Sequence, residues 1–372
     1  MPPPPTAQIT LSFSRDTSII AIAHGEQSPR AQTALETSGF QQRGDGTYVL
    51  PADNPEAALA TVTDLIRAAK RHRTTVSTSN RDFLGDVAQD VAARLPGQWS
   101  AALEIYRHPQ SQEDLVPWLW DAGDLSRAAQ TARAPYAARL SDGEGIDLLL
   151  IERPGHHHGY VVGAFAPEGY DDNYDDPYAP SALIVPGAPE PAARAITERF
   201  LPAYHQALHA RRANTVAVVL DRIRSEYDAW RTMAASGRYG DATPLGIDAL
   251  GAKTEAFLDS AWDDFRSVIQ HGPALLAQYP PGTTPRAQDT ETLLARLAEA
   301  LTDVEAVLEE LACDTSLTRQ ELHTRIWPAI ETWLTDGDRL LRQNHCPASH
   351  QQSGRPPSGP PGLPADRPAH RR

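Results

Sequence analysis

The 372 residues are 41% hydrophobic and 22% charged, with a net charge of −14, which is a globular composition and not a fibrous one. Apolar runs such as residues 19–23 and 148–151 fall far short of the ~18 needed to cross a membrane, and Met1 followed by Pro2, Pro3, Pro4 and Pro5 lacks the charged and apolar regions of a signal peptide. With Cys313 and Cys346 too far apart for a metal or redox motif, a reduced cytoplasm is the expected compartment.

Charge is distributed unevenly. Residues 1–94 hold 9 basic and 10 acidic side chains, 95–211 hold 8 and 16, 212–345 hold 13 and 21, and 346–372 hold 4 and 1. Neither large half has the positive excess that drives association with nucleic acid through counterion release. A general nucleic-acid binder is therefore not expected, and no membrane contact is expected.

In chain order, residues 1–14 are expected to be disordered and 15–94 to form a small α/β unit. Residues 18–23 are a β-branched apolar strand ended by His24-Gly25. Ser28-Pro29 opens a helix that Gly39 closes. Residues 47–50 return as a strand after Gly44-Asp45-Gly46, Asn54-Pro55 starts a second helix, and 74–79 is a short strand. Residues 95–211 are expected to be an α+β domain. A strand at 101–106 precedes a helix around 114–131, and strands follow at 136–140, 146–152, 160–165 and 182–185. Close turns such as Asp142-Gly143 imply an antiparallel sheet, and a helix over 191–211 closes the unit.

Residues 212–345 read as all helical. Val216, Val219, Leu220, Ile223, Tyr227 and Trp230 mark one helix face. Leu294, Leu297, Leu301, Val304, Leu308 and Leu311 alternate spacings of three and four, as coiled-coil core positions do. Thr318 and Glu321 form a capping box for a last helix. A helical bundle or long hairpins would bury these stripes. The tail, 346–372, is Pro-rich and expected to be disordered.

Few residues carry a chemical signature. His156, His157 and His158 lie between two strands; in extended chain His156 and His158 share a face and, with Asp171 and Asp175, are candidate ligands for zinc. Gly155 and Gly159 flank the triplet, so a solvated loop accounts for it without any metal, and no cofactor is expected, zinc being the one candidate. Asp171, Asn173 and Asp175 imitate half of a calcium loop, but Asp176 and Ala182 stand where glycine and glutamate belong. The stretch from Gly246 to Thr254 has the wrong glycine-to-lysine spacing for a phosphate loop. His24-Gly25 before a helix is a candidate anion site. No nucleophile motif is present. Trp118 and Trp120, with Pro117 among acids, are candidate partner anchors or core residues. Leu297 and Leu301 are candidates for a partner or self-association interface, against an intramolecular bundle.

The run Gln112-Glu113-Asp114-Leu115-Val116-Pro117-Trp118-Leu119-Trp120-Asp121, residues 148–155 and Tyr204 resemble segments of uncharacterised actinomycete proteins of plasmid or integrated-element type, over about residues 15–211. The resemblance implies a setting and assigns no activity or residue role. A non-enzymatic interaction or accessory protein with a partner-binding helical domain is the leading expectation. An enzyme with its site in 95–211 and a nucleic-acid accessory protein of a mobile element are the alternatives.

Overall fold

The computed structural model describes residues 7–132, 134–168, 170, 176–241, 243–279, 285–313 and 318–344. The chain is α+β in its first half and helical in its second, and it divides into two compact units, Met1–Arg211 and Arg212–Arg372.

The first unit opens with β1 (Ala7–Phe13), β2 (Ser18–His24), α1 (Ser28–Ser38), β3 (Gln41–Gln42), β4 (Tyr48–Pro51), α2 (Pro55–Arg71) and β5 (Thr74–Asp82). The strands form a mixed sheet in the order β3-β4-β2-β1-β5. β1 corrects the expectation of disorder over 1–14. It lies between β2, antiparallel, and β5, parallel, because Ala7, Ile9 and Leu11 alternate with polar residues and fill one face. β2 is buried on both faces, which accounts for its unbroken apolar run. Ile19, Ala21 and Ala23 face the core beneath α1 and α2, whereas Ile20 and Ile22 belong to the core of the second sheet. Asn54 starts α2 by accepting from the amides of Glu56 and Ala57 at 3.1 and 3.2 Å.

The second sheet follows α3 (Leu84–Ala92). Its elements are β6 (Ser100–Ile105), α4 (Pro109–Glu113), β7 (Leu119–Trp120), α5 (Asp124–Ala132), β8 (Tyr136–Ser141), β9 (Asp147–Glu152), β10 (Tyr160–Phe165) and β11 (Leu183–Val185). The order is β11-β10-β9-β8-β6, all antiparallel, with β7 also on β10. Leu148 and Leu150 face one core and Leu149 and Ile151 the other, the period of two expected of a strand. Because Ile20 and Ile22 share a core with Leu148 and Leu150, the two segments separated by sequence at residue 94 pack as one unit.

The single helix expected around 114–131 is three elements instead. A short 3-10 turn over Val116–Trp118 contains Pro117, which has no N–H to donate to an α-helical ladder. Asp121 then restarts a helix by accepting from the amides of Gly123, Leu125 and Ser126. The closing helix is α6 (Pro189–Ala195), continued by a π-helical turn (Ile196–Phe200) and α7 (Leu201–Ser236). Tyr204 and Leu208 of α7 join the core of the first unit.

The second unit holds the rest of α7, then α8 (Ile247–Leu276), α9 (Pro285–Cys313), α10 (Arg319–Thr332), a π-helical turn (Trp333–Gly337) and α11 (Asp338–Asn344). Thr318 and Glu321 close the capping box reciprocally. The fully buried Trp333 of the π-helical turn packs against Gly272 of α8 and against Gly337 of its own turn: a Cβ on Gly272 would lie 3.2 Å from its ring, and one on Gly337 would lie 3.0 Å from it. Leu297, Leu301 and Val304 are buried within this core, joined by Leu293, Ala300 and Val307. The apolar stripe of α9 is thus wider than a two-residue seam, because α8 and α10 both pack against it.

Candidate binding site

In the second unit, α7, α8 and α10 leave an apolar pocket of about 360 Å³. Tyr227 and Trp230 project from α7 three residues apart, on one helix face. Their rings stack at 5.9 Å, and Trp230 stacks on Phe257 of α8 at 5.6 Å. Trp327 of α10 meets Tyr227 at 5.3 Å and Phe257, edge on, at 5.5 Å. Such pairs are worth ~0.5–1.5 kcal/mol beyond their burial. Phe257 is buried, while Tyr227, Trp230 and Trp327 keep part of their surface open.

The two indole edges of this cluster are tied down internally. Trp230 Nε1 donates to Thr254 Oγ1 at 3.1 Å and Trp327 Nε1 to Glu331 at 2.7 Å. Buried His323 sits 3.2 Å from Asp259, which also pairs with Arg319 at 2.9 Å, fixing α10 against α8. What the pocket offers a ligand is therefore aromatic faces, with the two indole N–H groups already engaged. That chemistry suits apolar, prolyl or cationic groups.

A second concavity, about 660 Å³, lies in the first unit at the ends of β5 and β9. Arg81, whose side chain is 9% exposed, organises it. Its guanidinium donates to the carbonyls of Arg153 at 3.1 Å, Gly159 at 2.8 Å and His156, and its Nε lies 3.4 Å from Glu152. Tyr136 donates to Glu152 at 3.0 Å. Burial, and then Glu152, hold the Tyr136 phenol well above its ordinary value; burial chiefly pushes Tyr160 up to about 12. Both phenols are protonated at neutral pH, and Tyr136 acts as a donor to Glu152. Arg81 is spent on bracing the loop that carries the histidines.

That loop carries two of the four candidate metal ligands. His156 and His158 are exposed and lie in a turn in which Gly155 and Gly159 have positive φ, and His156 N–H donates to the Arg153 carbonyl at 3.4 Å. The chain is bent where alternation on one face requires it to be extended. Among the described residues no group of three or more His, Cys, Asp or Glu could hold a metal; Asp171 and Asp175 lie outside the described residues. His24 accepts or donates to Thr10 at 2.9 Å, and burial lowers its pKa to about 4. The Gly25 amide donates to the Arg107 carbonyl at 2.7 Å, so the candidate anion site has a neutral imidazole and an engaged amide.

The partner candidates separate. Trp118 is 68% exposed. Trp120 is fully buried, corrected from anchor to core: its Nε1 donates to Asp176 at 2.8 Å, and Asp176 pairs with Arg211 at 2.5 Å. Leu297 and Leu301, 0% and 3% exposed, are core of the bundle and present no interface. The aromatic pocket was missed as a site because Tyr227, Trp230 and Phe257 read as ordinary inward helix faces. The available signal was the excess of rings over aliphatic residues at those positions.

No family model matches the chain, and no curated protein or solved structure matches it either. No helix among the described residues is long and apolar enough to cross a membrane.

Proposed function

We propose that the chain is a non-enzymatic interaction protein whose helical unit holds a partner's apolar segment in the pocket of Tyr227, Trp230, Phe257 and Trp327. The observation carrying this reading is a concave cluster of four rings, three of them partly open, with the indole N–H groups already satisfied. Trp and Tyr are enriched among the few residues that carry most of the energy at protein interfaces. The acidic excess of residues 212–345 favours a neutral or basic partner over a polyanion.

The test is capture of partners by the tagged full chain in its native host, compared with a Tyr227→Ala/Trp327→Ala variant. A stoichiometric partner lost by the variant, with its helical circular dichroism preserved, supports the reading. A partner held equally by both overturns it.

An enzyme with its site in 95–211 is the second reading, favoured by the cleft where Tyr136, Glu152 and Arg81 meet. A small molecule or metal carried through purification, lost on Glu152→Gln, would support that reading.

A further inference from the structure

We infer that the aromatic pocket takes a proline-rich segment, and that the occupant is the chain's own residues 355–364. This rests on the reading of the pocket as a binding site and names its ligand class.

The pocket chemistry points to prolyl rings. Trp230 and Trp327 have their N–H groups engaged with Thr254 and Glu331, so recognition rests on ring faces. Prolyl rings stack on such faces, and a polyproline II segment loses little entropy on docking. Residues 355–364 read Arg-Pro-Pro-Ser-Gly-Pro-Pro-Gly-Leu-Pro. In a polyproline II helix, with three residues per turn, the spacing of Pro357 and Pro360, and of Pro361 and Pro364, would set each pair on one face.

Charge and reach agree. Residues 212–345 hold 21 acidic against 13 basic side chains, whereas 346–372 hold 1 against 4. Arg355 leads the proline run, and Glu331 stands beside Trp327 at the pocket. Helical structure runs from Arg319 to Asn344, so Trp327 lies about 26 Å back along it at ~1.5 Å per residue. Residues 345–355 span up to about 36 Å when extended. The chain length is therefore enough for residues 355–364 to reach Trp327. Tethering raises its effective concentration to the millimolar range, so a weak intrinsic affinity fills the site.

The experiment uses the full chain with fluorinated tryptophan and a variant carrying Pro356→Ala, Pro357→Ala, Pro360→Ala and Pro361→Ala. The expected result is a shift of the Trp230 and Trp327 fluorine resonances in the variant, with the other five unmoved. A synthetic peptide of residues 353–368 should bind the variant at least ~10-fold more tightly than the unaltered chain, whose pocket is already filled. Unmoved resonances together with equal or absent peptide binding overturn the occupant. Shifts that depend on protein concentration, with a doubled sedimentation mass, overturn the intramolecular form in favour of a second copy. The pocket reading is decided separately: partner loss by the Tyr227→Ala/Trp327→Ala variant sustains it even where the tail result is negative.

Discussion

Two glycines in α8 should respond oppositely to the same substitution. A Cβ on Gly251 would meet nothing within 4 Å, whereas a Cβ on Gly272 would lie 2.9 Å from Leu301 Cδ1 and 3.2 Å from the Trp333 ring. Alanine in a helix interior is favoured over glycine by about 1 kcal/mol, and Gly251→Ala should realise most of that gain. Gly272→Ala gains the same propensity but must displace a buried leucine and a wholly buried indole that is wedged also against Gly337. Overpacking of a filled core costs ~1–3 kcal/mol. The difference between the two variants is therefore that packing cost, with Gly251→Ala the more stable. Urea unfolding followed by helical circular dichroism measures it as a separation of midpoints at constant m. Equal midpoints within ~0.3 kcal/mol would refute the packing described around Trp333.

Three further perturbations test the cores and the buried charges. Leu297→Asp places a carboxylate at a fully buried position without a partner, at a cost of several kcal/mol; circular dichroism should show the helical unit unfolding, and a folded protein of lower mass would restore the interface reading of that leucine. Asp176→Ala leaves Arg211 buried beside Trp120 without its carboxylate, so thermal unfolding should register a loss of about 3–5 kcal/mol, whereas exposed Trp118→Ala should stay within ~0.5 kcal/mol. His24, lowered by burial from 6.5 to about 4, is neutral in the folded chain over a range where the unfolded chain binds a proton. Its contribution is complete above pH ~6.5 and is lost as pH falls toward 4; allowing for partial solvent access, the stability difference between pH 7 and pH 4.5 should shrink by about 1–2 kcal/mol in His24→Gln, and an unchanged difference would remove the burial argument.

The legible parts of the fold were those in which one local signal decides. Asn54 and Thr318 cap helices because their side-chain oxygens meet free amides, and the sequence alone shows both. Strands β8, β9 and β10 were legible from short apolar runs between turn residues. β1 was not, since its three inward residues are separated by polar ones and preceded by prolines; only pairing with β5, more than sixty positions away, makes it a strand. The stretch around Pro117 misled for a different reason. Its helical spacing was real, but a proline at that point breaks the backbone that the spacing presumes, and the second tryptophan is carried into a strand instead.

The same contrast separates the two kinds of candidate site. The histidine triplet stood out because its residues are adjacent, and Gly155 and Gly159, both at positive φ, place it in a bent loop rather than an extended strand. The aromatic pocket did not stand out because its rings come from three helices, with Tyr227 and Trp327 a hundred positions apart. Each ring alone satisfies the demand for an apolar inward position. What makes them a surface is the angle at which α7, α8 and α10 meet, fixed partly by Asp259 reaching both Arg319 and His323. A bundle needing only stability would have filled this corner with aliphatic side chains, which pack without polar edges to satisfy. Here two indole N–H groups are each provided with an acceptor while their faces stay partly open, and that combination is the physical ground for reading the corner as a place where something binds.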